Sequence, residues 1–337
     1  MRANVVISVH LHRCGPALIE TIELRPLALR CEPVPGESLN GFVRRLSERN
    51  AITPTFLMSF TRALKPFPVG TDPKAMEGLA ILSGHDADAL RMMGAPPSHP
   101  SIREQGGRPA EVLHGQAVSS RHERGRLKAV CPACLAAGDP FHRLEWEFLF
   151  AGACHVHRCG LLAKCPGCDE WLGWNETRLT CCRCDSDWSK SEPEVWDDAR
   201  LAGTDFIASC LHGLPGRPEP ESISGLPLIH AIDLLLALGG LAANCAPWQM
   251  GANVRETRLP EFLNSGLKWA AAPTSSLGPL MDRLETSLVG QPTMRPRMLE
   301  WCDWIEPHGS PATSAILDVF RATVRARAGE AQMSFDV

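Results

Sequence analysis

Nine of the chain's fourteen cysteines fall between Cys131 and Cys184. Thiols at that density cross-link, ligate metal or attack an electrophile, and their spacing decides which. Three Cys-x-x-Cys pairs, Cys131/Cys134, Cys165/Cys168 and Cys181/Cys184, are joined by Cys154/His157 at the same interval. A two-residue gap lets a tight turn aim both side chains at one ion while backbone N–H groups approach the sulfurs. Tetrahedral zinc needs two such turns, so four turns make two sites. Sequential pairing gives Cys131, Cys134, Cys154 and His157 for one ion and Cys165, Cys168, Cys181 and Cys184 for the other. The second set has twelve residues between its turns, as in a zinc ribbon. An interleaved pairing fits the same intervals. Each set is filled by protein donors, which makes the two Zn2+ ions structural, whereas a catalytic zinc keeps a position open. His155, Cys159 and Cys182 are left as bystanders, each able to substitute after a change of register. Cys14, Cys31, Cys210, Cys245 and Cys302 stand alone as packed thiols.

Enzyme signatures are missing. The sequence contains no His-Glu-x-x-His, no His-x-Glu or Pro-Cys-x-x-Cys, and no Gly-x-x-x-x-Gly-Lys-Ser/Thr loop. No catalytic constellation is found, and the chain is read as non-enzymatic.

Upstream of the cysteines, residues 34–64 carry the punctuation of two linked helices. Leu39, Phe42, Val43 and Leu46 form one apolar stripe at helical spacing. Glu37 and Ser38 suit the start of the first helix, Asn50 its stop, and Thr53-Pro54 the start of the second. The pair resembles a helix-turn-helix. Its polar face is expected to carry Arg44, Arg45 and Arg49, with Arg62 and Lys65 at the end of the second helix. These are a solvated face or a phosphate-contacting surface. A second basic run leads into the first cysteine turn with Arg121, Arg124, Arg126 and Lys128, and admits the same two readings. Further helices are expected near 72–81 and 86–93. After an acidic stretch at 186–198 they are expected at 198–211, 226–241 (apolar nearly all round, hence buried), 260–269, 277–289 and 312–328.

The fold class that follows is mostly α with small zinc-ribbon β elements. Its segments are an extension (1–25), a helix-turn-helix-containing domain (26–125), a tandem zinc-binding domain (126–195) and a C-terminal helical domain (196–330). Val5, Ile7, Val9 and Leu11 alternate in the extension, which is an added strand or unstructured. The length of 337 residues fits two or three domains. A formal net charge of -4 argues against binding nucleic acid through bulk positive charge. With no signal peptide, and an apolar stretch at 234–243 too short to span a bilayer, a soluble cytoplasmic protein is expected.

Pro35-Gly-Glu-Ser-Leu39, Cys131-Pro-Ala-Cys-Leu135, Trp146, Cys154-x-x-His157, Leu161-Leu162, Cys165-Pro-x-Cys168 and Cys181-x-x-Cys184 occur in the order and spacing of the TniQ family of transposition proteins, which the chain resembles from Pro35 to Cys184. Asp169 and Asp185 stand where the family usually has Gly, and Asp tolerates the left-handed backbone better than most residues. The resemblance implies a non-enzymatic bacterial adaptor that connects a target-recognition element to an AAA+ ATPase, which recruits the transposase. The target element is attachment-site DNA, or an RNA-guided Cascade-type CRISPR complex on which such proteins sit as a homodimer. The acidic balance favours the protein partner. A zinc-containing helix-turn-helix regulator that binds DNA is the competing reading.

Overall fold

The computed structural model describes residues 8–14, 17–61, 72–96, 102–104, 107–174, 178–214, 219–245, 252–289 and 294–333. Helices make up most of its regular structure, and strands are few and short. No helix among the described residues is long and apolar enough to cross a membrane. The chain divides into two compact units, neither continuous in sequence: Met1–Pro96, Arg124–Phe148 and Cys159–Glu194 form one, and Pro97–Glu123, Leu149–Arg158 and Val195–Val337 the other.

The first unit opens with an antiparallel hairpin of β1 (Ser8–Cys14) and β2 (Ala17–Glu23), paired from Ser8 opposite Glu23 to Cys14 opposite Ala17. Val5 and Ile7 lie outside the described residues. Four helices follow: α1 (Leu39–Arg49), α2 (Pro54–Ser59), α3 (Pro73–Ser83) and α4 (Ala87–Met92). Their starts follow from local chemistry. Ser38 Oγ accepts from Gly41 N at 3.0 Å, and Thr53 Oγ1 accepts from Phe56 N at 3.2 Å with Pro54 in the first turn. Leu39, Phe42, Val43 and Leu46 pack with Leu57, Met58, Met76, Leu79 and Leu90 into one core.

The solvated face expected of α1 is absent, because every residue from Leu39 to Ser47 is buried. Arg44 is fully enclosed, and Arg45 is 9% exposed. Arg45 is held inside by Glu37, whose two carboxylate oxygens accept from its Nε and Nη2 at 2.6 Å each. Burial pushes the Glu37 carboxyl up despite the pull of Arg45. This explains the Pro-Gly-Glu-Ser-Leu run: Gly36 takes φ 78°, Glu37 also accepts from Val34 N at 3.0 Å, Ser38 caps α1 and Leu39 enters the core.

His142 joins this helix to the cysteine-bearing segment of the same unit. Its Nε2 lies 3.0 Å from Ala129 O and its Nδ1 3.1 Å from Ser38 Oγ. A carbonyl only accepts, so Nε2 carries the proton and Nδ1 accepts from the serine hydroxyl. Trp146 and Trp174 meet the ring edge to face. Asn40 Nδ2 donates to both carboxylate oxygens of Glu147, at 3.1 and 3.0 Å. A short helix, α5 (Pro132–Ala136), begins at the first cysteine pair.

In the second unit, β3 (Glu111–Leu113) and β4 (Gln116–Val118) form a hairpin whose turn residues, His114 and Gly115, have φ 48° and 81°. Successive positive φ values suit the twist of a two-residue hairpin turn. The helices are α6 (Asp198–His212), α7 (Leu228–Ala242), α8 (Ala252–Ala270), α9 (Gly278–Leu288), α10 (Met294–Ile305) and α11 (Pro311–Met333). Buried nearly all round, α7 lies along α8, which also packs on α6. Gly239 and Gly266 make that crossing possible. A Cβ on Gly239 would strike the Phe262 carbonyl, and one on Gly266 the Leu235 carbonyl. Arg121 Nη2 and His122 Nε2 reach the buried Asp233 of α7 at 2.8 and 3.2 Å.

Candidate metal centres

Cys131 sits at the N-cap of α5, where Cys134 N approaches its sulfur at 3.4 Å. Pro132 starts the helix and needs no hydrogen-bond partner there. Val130 and Leu162 exchange backbone hydrogen bonds at 3.0 and 2.7 Å, fixing the strand that delivers Cys131. The Cys154–His157 turn closes with Arg158 N donating to Cys154 O at 2.8 Å, and Arg158 takes φ 52°. Cys154 Sγ and His157 Nδ1 are 3.7 Å apart. The donor atoms of Cys131, Cys134, Cys154 and His157 all lie within 4.8 Å of one another. This is the sequential grouping expected from the spacing. Cys159, a bystander by spacing, is fully buried with its sulfur 3.5 Å from that of Cys131.

The second group is Cys165, Cys168, Cys182 and Cys184, again with all donor atoms within 4.8 Å. Its first turn closes with Asp169 N donating to Cys165 O at 2.8 Å, and Gly167 N approaches the Cys165 sulfur at 3.4 Å. Sulfur–sulfur distances are 3.6 Å for Cys165–Cys184 and 3.7 Å for Cys168–Cys182. Asp169 and Asp185 adopt φ 57° and 63°, the left-handed conformation that ends each turn.

One expected ligand is displaced. The spacing names Cys181, whereas the structure places Cys182 in the group. Asp185 N donates to Cys182 O at 3.0 Å, so the second turn spans 182–185 rather than 181–184. Cys181 bridges Asp187 through its backbone, and its buried thiol lies 3.6 Å from Thr180 Oγ1. Adjacent cysteines give two possible registers, and a sequence pattern prefers the symmetric one. Pairing across the segment selects the other.

Burial opposes ionisation of Cys165, but N–H groups of Gly167 and Cys168 and contacts from Cys184 and Trp188 outweigh it and bring the thiol down to about 6. Burial and the neighbouring thiols push Cys182 up to about 12. Trp188 is fully buried, with Lys128 Nζ 4.3 Å from its ring centroid. Three thiols with an imidazole, and four thiols, are donor sets that fit zinc. None of the cysteines from Cys31 to Cys302 is in a disulfide. Of the isolated cysteines, Cys302 is enclosed and pushed up to about 12 by burial, as a packed thiol should be.

The basic residues are scattered. Arg44, Arg45, Arg124 and Lys128 are buried. Arg124 Nε donates to Trp146 O at 3.0 Å. Arg121 is engaged with Asp233. Arg49 is exposed, donating to Arg30 O at 2.9 Å, and Arg126 is exposed. Arg62 and Lys65 lie outside the described residues. Long cationic stems pack as apolar chains, so charge pattern alone does not separate an enclosed arginine from a surface one.

The TniQ family model matches residues 28–161, a stretch that takes in the Pro-Gly-Glu-Ser-Leu run, His142 and the whole first donor group. No curated protein matches the chain significantly. Residues 28–161, about two fifths of the chain, are thus similar to the TniQ family.

Proposed function

We propose that the chain is a non-enzymatic adaptor of transposition, joining a target-recognition element to an AAA+ ATPase that recruits the transposase. The family match over residues 28–161 carries this reading. Both cysteine groups support it, since four protein donors each leave no position for a substrate water. Two structural Zn2+ ions per chain would then hold a recognition scaffold in shape. Residues 26–125 contribute the α1–α2 pair, read as a helix-turn-helix, 126–195 the zinc scaffold and 196–330 a helical platform. With a net charge of -4, the favoured target element is an RNA-guided Cascade-type complex bound by a homodimer in the bacterial cytoplasm, ahead of attachment-site DNA.

The regulator reading rests on the same α1–α2 pair. It is disfavoured because α1 keeps Arg44 and Arg45 inside the core, so that among the described candidates only Arg49 and Arg126 are exposed for phosphate contact. Affinity capture of the tagged chain, co-expressed with an AAA+ ATPase and a Cascade-type complex from its own genetic neighbourhood, tests the adaptor. Recovery of both is expected. Recovery of neither, together with tight salt-dependent binding of a specific duplex, would replace the adaptor by the regulator.

A further inference from the structure

We propose that the second cysteine group is a modification site for hydroperoxides: Cys168 and Cys184 react with the oxidant, Cys182 and Cys165 close disulfides onto them, and the zinc ion leaves. The inference rests on zinc in this group, as proposed above, and it concerns one continuous stretch of the first unit, Cys159–Glu194. Cys168 and Cys184 are exposed, Cys182 is half-buried and Cys165 is buried. Each exposed thiol has a more covered one beside it: Cys184 Sγ lies 3.6 Å from Cys165 Sγ, and Cys168 Sγ 3.7 Å from Cys182 Sγ. An accessible sulfur next to a resolving cysteine is the arrangement of a redox-sensitive site. Both pairs run from one turn to the other. Gly167 lets the turns meet, because a Cβ there would sit 2.8 Å from Ser186 Cβ and 3.3 Å from Cys184 Sγ. A sulfur–sulfur bond of about 2 Å is then within reach of side-chain rotation.

Electrons pass from the thiolates to the peroxide. A metal keeps its cysteine ligands deprotonated, so the nucleophile is present at neutral pH. The Cys184 thiolate attacks hydrogen peroxide; an S–O bond forms, the O–O bond breaks and hydroxide leaves. The Cys165 thiolate then attacks the Cys184 sulfur, the S–O bond breaks and a second hydroxide leaves. Two thiolates have lost two electrons, and one peroxide has gained them. Cys168 and Cys182 repeat the sequence with a second peroxide. The four thiolates have become two neutral disulfides, which no longer hold Zn2+. These bridges take over the ion's task of joining the turns until a dithiol reductant restores the thiols. In the other group Cys131 and Cys154 are buried and Cys134 is half-buried, so peroxide reaches it later.

The full wild-type chain is loaded with zinc, its metal counted, and then titrated with hydrogen peroxide beside a chromogenic zinc indicator. Its disulfides are mapped by peptide mass spectrometry. Loss of one zinc equivalent ahead of the other is expected, together with the bridges Cys165–Cys184 and Cys168–Cys182. Dithiothreitol with added Zn2+ should return the chain to two equivalents. Release of both ions together, release of neither, or bridges between other cysteines overturns the proposal. The count before oxidant keeps the two readings apart. A chain that never loads the second group overturns the zinc reading along with this one, whereas a chain that loads two ions and keeps both overturns this one alone.

Discussion

Both nitrogens of His142 are already spoken for, one donating to Ala129 O and one accepting from Ser38 Oγ, so a second proton has no place to go. Burial, reinforced by the charges of Lys128, Arg124 and Arg44, holds its pKa well below the usual value, and burial with the His308 charge brings His230 down to about 4. Both are bases whose folded pKa is depressed. The unfolded chain therefore binds more protons below about 6.5, and stability is full above that pH and lost as pH falls through it. The denaturation midpoint should drop between about pH 7.5 and 5.5, with a shallower drop in His142→Asn. The cysteine donors titrate in both proteins, so the difference in slope isolates the ring; equal slopes would contradict the assignment. Glu37→Gln leaves the Arg45 guanidinium buried without its counter-charge, and urea titration should show a loss of about 3 kcal/mol. Cys182→Ser should bind one zinc fewer while Cys181→Ser keeps both, by metal analysis; the opposite pattern would return the ligand to Cys181. These residues differ in how far their types and spacing revealed them. The first donor group was legible in Cys-x-x-Cys and Cys-x-x-His alone. The choice between adjacent cysteines was not, because backbone pairing across the segment decides it. His142 carries no local signal, since its partners lie 13 and 104 residues away.

Helices were legible where apolar spacing and caps agreed. The pattern over 226–241 became α7 at Leu228–Ala242, and Ser38 and Thr53 cap α1 and α2 as their chemistry suggests. Pro260 hid the first half of α8: it reads as a helix start, yet it lies inside a helix that begins at Ala252. Pro296 likewise masked α10, and strands of three residues are too short to show alternation. The α7–α8 crossing turns on two glycines that composition does not single out. Gly239→Ala places a methyl group on the Phe262 carbonyl, and thermal denaturation should register a loss of at least about 1–3 kcal/mol. A neutral Gly239→Ala would mean the two helices are not held so closely.

On the scale of the molecule, the described part of this 337-residue chain has two cysteine-rich groups that could each hold a metal ion where a larger apolar core would otherwise do the work. Metal binding and folding are coupled at such groups. A strong chelator at neutral pH should remove two zinc equivalents and disorder the cysteine segment, read by loss of tryptophan signal from the buried Trp146 and Trp188. An unchanged signal after complete metal removal would make the ions dispensable. Both compact units are stitched from three stretches of sequence, which no reading of composition shifts could find, because their boundaries are set by pairings made far along the chain.

The Ser38–His142 hydrogen bond spans 104 residues, and that distance has a meaning on the ribosome. At roughly 5–20 residues per second, α1 emerges about 5–20 seconds before the ring that receives its cap. During that interval the start of α1 lacks the contacts that Ser38 makes with His142 and Asn40 with Glu147, although the apolar partners of Leu39, Phe42, Val43 and Leu46 up to Met93 are already made. The nascent N-terminal half is thus a client for holding factors until the cysteine segment is made. A stop placed before residue 124 should yield an aggregating fragment, even though all four leading helices are present.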